Sequence, residues 1–186
     1  MITAPYKDRI EFWKFQHAST TFAEAKQLCE LILKEKIDSG HPLHVPLMTA
    51  LHILYGRPFK QRTEVRIPED IVPQNNKNTH EALINMRDKI HAHTDVDGPK
   101  TTDDDCLNKV AVFVRNGSAR FALTMVFPRA VQIEEIWDLS DALSQKTWYH
   151  AEKIWKRYFS GKAVKDGNYE VNISKSDDAF LKTNSW

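Results

Sequence analysis

The chain has 186 residues, 41% of them hydrophobic, which is enough to bury one core but short for two comfortable domains. Its 26 Lys and Arg nearly cancel 25 Asp and Glu, so no global positive field advertises a nucleic-acid binder, and any such contact has to use a local patch. Two cysteines, Cys29 and Cys106, are too few for a disulfide-built secreted domain, and neither a leader pattern nor a run of about 18 apolar residues occurs; the expectation is a soluble, cytoplasmic chain that stays out of the membrane.

Residues 22 to 37 place Phe22, Ala25, Leu28, Cys29, Ile32 and Leu33 on one stripe of a predicted helix, which Ser39 and Gly40 stop. Residues 43 to 55 are more uniformly apolar and predict a helix buried on most sides, closed by Gly56 and Pro58. After a polar connection, a third helix is predicted to open at Asn78, with that side chain as cap and Glu81 reaching back, and to run towards Asp97-Gly98-Pro99. Between 109 and 127 the period changes to two around Asn116-Gly117, predicting a hairpin that pairs Val112 with Phe121 and Val110 with Leu123. The helical period returns from about 133 to 159, the longest predicted helix, and its aromatics Trp137, Trp148, Trp155 and Tyr158 are expected in the core. The fold class is therefore mainly α, a helical domain over 1 to 160 that includes the hairpin at 109 to 127, with a polar C-terminal tail at 161 to 186 that is expected to be mobile or loosely docked.

One segment carries chemistry: Arg87-Asp88-Lys89-Ile90-His91-Ala92-His93. At about 100° per residue, Leu83, Met86 and Ile90 form a narrow apolar stripe with Arg87 on one flank and His93 on the other, and His91 lies farther out on the Arg87 side. That seam could receive a second subunit or another helix. Imidazole moves protons near neutrality, and guanidinium offers a fixed fork of donors to phosphoryl oxygens, a pair suited to metal-independent cleavage of a phosphodiester. Asp88 can orient either group. Spacing alone also fits a plain alternative, an Arg in a surface salt bridge and a His at a helix C-terminus.

The run from Arg87 to Asp95, after a helix containing Leu83-Ile84-Asn85-Met86, resembles the signature of the HEPN superfamily (higher eukaryotes and prokaryotes nucleotide-binding), in which Arg and a polar residue are followed by His after four to six intervening residues. Here five residues separate Arg87 from His93. The run Lys89-Ile90-His91-Ala92-His93-Thr94-Asp95 and the segment Tyr55-Gly56-Arg57-Pro58-Phe59 look like the bacterial branch related to abortive-infection proteins. The resemblance implies a HEPN-like helical bundle that forms a homodimer with two motifs facing each other. It also implies an endoribonuclease in which His93 and Arg87 promote attack of the ribose 2′-OH on the adjacent phosphate, with Asp88 as the orienting polar residue. Lys89, His91 and Arg57 are then candidate substrate-binding residues, with Lys60 and Arg62 as further positive charge. RNA is the implied substrate, no cofactor is called for, and a toxin–antitoxin or phage-defence role would add a cognate antitoxin protein as partner.

Two other readings stay open. A catalytically inactive HEPN-like module would use the same residues to hold a nucleotide, RNA or a protein partner. A metal site built on His91, His93 and Asp95 or Asp97 is disfavoured on a helix, where the two histidines point about 160° apart. His41, His44, His52 and His150 have no adjacent nucleophile, the six glycines form no phosphate loop, and Cys29 reads as a buried thiol.

Overall fold

The computed structural model describes residues 2–60, 64–88, 108–116, 118–125 and 131–183. Four helices dominate it: α1 (Tyr6–Lys34), α2 (His44–Gly56), α3 (Lys77–Met86) and α4 (Ile133–Phe159). Strands β1 (Asn108–Arg115) and β2 (Ser118–Met125) form one antiparallel hairpin, and β3 (Tyr169–Val171) pairs with β4 (Leu181–Thr183) in another. Among the described residues no helix is long and apolar enough to cross a membrane.

The long helices α1 and α4 are the frame. α1 begins at Tyr6, well before residue 22, because the same stripe continues towards the N-terminus through Phe12, Phe15, Ala18 and Ser19, all buried. Against it α4 buries Ile136, Leu139, Ser140, Leu143, Thr147, Ala151 and Ile154, so small residues from both helices share the seam. At its centre the Ser19 hydroxyl donates to the Ser144 carbonyl and the Ser144 hydroxyl donates to the Ser19 carbonyl, each at 3.0 Å. Hydroxyls that bond backbone across the seam let the two helices approach with both of these groups satisfied, although the buried Ser140 hydroxyl has no hydrogen-bond partner among the described residues.

The ends of α4 fall where the apolar period places them. Its aromatics divide: Trp155 packs against the core and stacks on Phe159 with ring centroids 3.7 Å apart, whereas Trp148 is 50% exposed, contrary to expectation. The buried stripe passes through Thr147, whose hydroxyl is satisfied by the Leu143 carbonyl at 2.7 Å, and this turns the adjacent indole outward. α2 is also less enclosed than its composition suggests, since Leu43 and Val45 are exposed and full burial is confined to its last turns at Leu51, His52, Tyr55 and Gly56.

The hairpin has the predicted register, Val112 opposite Phe121 and Val110 opposite Leu123, and Asn116 takes the left-handed φ of 51° that a tight turn requires. Val112 and Val114 face solvent. α3 opens one residue before the predicted start, after a short 3₁₀ turn at Gln74–Asn76, and makes no side-chain cap hydrogen bond. Thr79 on its first turns instead reaches Glu135 of α4, 3.2 Å away.

The segment after Gly161 differs most from expectation. It docks firmly: Phe180 is fully buried among Phe12, Tyr158 and Phe159, at ring-centroid distances of 5.4, 5.5 and 5.0 Å. Its N–H bonds the Ile2 carbonyl at 2.8 Å, and Ala4 N–H bonds the Asp178 carbonyl at 2.9 Å. Arg9, 1% exposed, anchors the arrangement by donating to four backbone carbonyls, those of Ala4, Asn172, Ala179 and Ser174, at 2.6 to 3.2 Å. One aromatic and one saturated guanidinium hold a stretch whose average composition is polar. Phe180→Ala should therefore cost about 3–5 kcal/mol and Trp148→Ala less than about 1 kcal/mol in denaturant titration. Equal losses would contradict this division between core and surface.

Candidate functional site

Arg87 and Asp88 follow α3 directly, in a widened, π-type turn, a local geometry that recurs at functional positions. The helix delivers them because Leu83 and Met86 are buried in the chain's own core, which fixes the rotation of its last turn. Of the two occupants open to that seam, a second subunit or another helix, the chain's own packing covers Leu83 and Met86. Ile90, Lys89, His91 and His93 lie outside the described residues, as does Arg62.

The Arg87 stem is held by a glycine. A Cβ built on Gly56 would lie 2.9 Å from Arg87 Cγ and 3.1 Å from its Cδ, closer than side chains tolerate. Gly56 ends α2, as expected, with an ordinary φ of −78°, and the chain continues into a 3₁₀ turn at Arg57–Phe59. Its missing side chain is needed for the close approach of Arg87 rather than for a turn. Below, Tyr55 and Phe59 are fully buried against Phe22, so α2 has little freedom to move away.

The head of Arg87 is held by a carboxylate. Arg87 Nη1 lies 2.7 Å from Asp88 Oδ1, and the second oxygen, Oδ2, accepts from Lys60 Nζ at 2.8 Å. Burial alone would raise the Asp88 carboxyl's pKa; hydrogen bonds from Lys60 and Arg87 and their positive charge outweigh it and hold the group below its ordinary range. Arg87 Nε is buried with no hydrogen-bond partner among the described residues. Such an unspent donor is costly in a finished structure and useful where an acceptor is to arrive. Arg57 is exposed beside this cluster in sequence, and its charge, after burial, lowers the pKa of His17 on α1. The structure thus unites Arg87, Asp88 and Lys60. Lys60 had no assigned role in the sequence beyond general positive charge, since a single Lys after a Pro-Phe pair carries no periodic or motif signal.

Two neighbouring depressions help to decide what can bind where. One, of about 500 Å³, is lined by Glu69, Asp70 and Glu81 against Lys77, with His80 and Asn85, and this acidic lining repels a polyanion. The other, of about 540 Å³, opens beside Met86 and is walled by Ile32, Leu33, Met48 and Ile133, with His44 and His52 at its edge. Neither offers the paired cations found at Arg87. Among the described residues no group of three His, Cys, Asp or Glu is placed to hold a metal ion. Cys29 is fully buried and burial pushes its thiol up to about 12, which makes it inert as a nucleophile.

His80 was not singled out in the sequence, yet it is 6% exposed and its Nδ1 lies 2.7 Å from the Tyr55 hydroxyl. Burial keeps that hydroxyl protonated by raising its pKa well above the ordinary value, and burial lowers the pKa of His80. The pair braces α3 against α2, with Tyr55 next to Gly56 and His80 about two turns before Arg87. Comparison of the chain with protein-family models, with curated proteins and with solved structures finds no match.

A His whose folded pKa lies below its unfolded value of about 6.5 contributes stability above that pH, and the contribution is lost as pH falls towards the folded value. His17 acts in the same sense. The melting temperature should therefore fall from pH 7 to 5, and His80→Gln should flatten part of that fall while lowering stability at pH 7. An unchanged slope in the variant would show that His80 is not a source of the acid sensitivity.

Proposed function

We propose that this chain is a HEPN-type, metal-independent endoribonuclease. The observation that carries the reading is Arg87 itself, with its stem against Gly56 and its head on Asp88, at the start of a segment whose Arg-polar-His spacing resembles that superfamily. In this reading His93 moves the proton. The ribose 2′-hydroxyl loses a proton as its oxygen bonds to phosphorus, the 5′-oxygen departs and takes up a proton, and Arg87 neutralises charge that builds on the non-bridging oxygens. Asp88 orients Arg87. Lys89, His91 and Arg57 contact substrate, and no metal is called for.

The same proposal includes a homodimer that faces two motifs across a cleft, in a cytoplasmic toxin–antitoxin or phage-defence setting with a cognate antitoxin protein. With Leu83 and Met86 turned inward, the dimer rests on the resemblance. A second reading, a catalytically inactive HEPN-like module that binds a nucleotide, RNA or a protein partner, is favoured by one feature: the Asp88 carboxylate already satisfies both Arg87 Nη1 and Lys60.

Cleavage of a structured RNA separates the two. His93→Ala should lower the rate by about 100-fold or more while leaving RNA binding intact, and Arg87→Ala should damage both. His91→Ala should do less than His93→Ala. Wild-type products should end in 2′,3′-cyclic phosphate and EDTA should not inhibit. Wild-type protein that leaves a broad panel of RNAs intact, or a His93 variant that cuts as well, would leave the binding module as the working reading.

A further inference from the structure

We propose that Lys60 is a phosphate-binding residue of this site, and that its ion pair with Asp88 is the closed form of a seat that an RNA phosphodiester opens by taking the place of the carboxylate. The inference rests on the reading of the Arg87 site as one for RNA and adds a residue which that reading does not contain.

Three observations carry it. The first is stoichiometry: one carboxylate serves two cations, with Asp88 Oδ1 at 2.7 Å from Arg87 Nη1 and Oδ2 at 2.8 Å from Lys60 Nζ, so the cluster keeps a net positive charge. The second is access. The side chains of Lys60, Asp88 and Arg87 are 30%, 31% and 25% exposed, so the bridge lies at the surface, where an incoming anion can reach it. The third is the contrast in surroundings between the two cations. Arg87 is confined by Gly56 along its stem, while Lys60 follows a 3₁₀ turn and is itself an exposed residue with a flexible four-carbon side chain.

A phosphodiester presents two non-bridging oxygens at a separation close to that of the two carboxylate oxygens, so it can accept from the same two donors. Guanidinium supplies the directed fork and ammonium a point charge that follows the ligand. Asp88 then has two duties. It keeps the cations together and oriented before substrate arrives, and it competes with weakly held anions, so that only a ligand with further contacts displaces it. Lys60 is in this sense a substrate contact, and Asp88 a positioning residue.

Equilibrium binding of fluorescein-labelled oligo(U) in EDTA, over a series of salt concentrations and with inorganic phosphate as competitor, tests the proposal with cleavage followed on the same samples. Lys60→Met should weaken RNA binding roughly three- to tenfold and reduce the salt slope by about 1, Lys60→Arg should restore most of both, and Asp88→Asn should tighten binding by a similar factor while slowing turnover. Competition by inorganic phosphate at far higher concentration than RNA fits a seat that needs the polymer's additional contacts; equal competition would assign it to free phosphate and overturn the RNA form of the proposal. Thermal melts of each variant separate folding from binding. Lys60→Met that binds RNA like wild type, or Asp88→Asn that binds more weakly, would show an ordinary structural ion pair and overturn the proposal even if wild type cuts RNA. Wild type that binds with the predicted Lys60 dependence but does not cut would leave the seat standing and remove the nuclease reading.

Discussion

The seam between α1 and α4 is the constraint on which the rest of the molecule depends. Small residues and the reciprocal Ser19–Ser144 hydrogen bonds let two long helices lie close, and α2, α3 and the C-terminal segment lean on that pair. Thr79 ties α3 to Glu135, Lys146 on α4 reaches the Ile71 carbonyl at 2.8 Å, and Phe22 on α1 supports Tyr55 and Phe59 at the end of α2. The position of Gly56, and through it that of Arg87, follows from this packing. Arg9 and Phe180 close the frame where the N-terminal end of α1 meets the C-terminal end of α4.

Electrostatically the site is a local exception in a nearly neutral chain. Its cations are not spread over a face but gathered on one carboxylate, in a position where partial burial strengthens each pairing. A broad basic patch holds a polyanion by summed attraction and yields readily to salt. A guanidinium set close against a glycine and sharing a carboxylate gives less attraction and more direction, the feature on which the proposed reading of one phosphate rather than many relies. The depression lined by Glu69, Asp70 and Glu81 is acidic by contrast and disfavours a polyanion there.

The parts of this arrangement that were legible in the sequence are those fixed by local periodicity. The Asn116-Gly117 turn set the hairpin register, and the apolar period bounded α4. Arg87 and Asp88 stood out through a resemblance and not through spacing. What could not be read depends on contacts between distant residues. Trp148 faces solvent because Thr147 can bury its hydroxyl on the preceding turn, a substitution of polar for apolar that hydrophobic patterning cannot anticipate. The C-terminal segment docks through Phe180 and through carbonyls that meet Arg9, and backbone acceptors leave no trace in composition. Gly56 reads as a helix end, which it is, but the room it leaves for the Arg87 side chain, far along the chain, has no local signal.

The central claim is that Arg87, set in place beside Lys60 by Asp88 before substrate arrives, orients a phosphate for attack by its own ribose hydroxyl. The most direct measurement compares a short RNA with the same strand carrying a single 2′-deoxynucleotide at the scission position, in EDTA, with binding and cleavage read together. The account predicts that both strands bind alike, that the RNA is cut to a 2′,3′-cyclic phosphate end, and that the deoxy-substituted strand survives at that position. Cleavage of both strands at the same place, or of neither when both are bound, would contradict it.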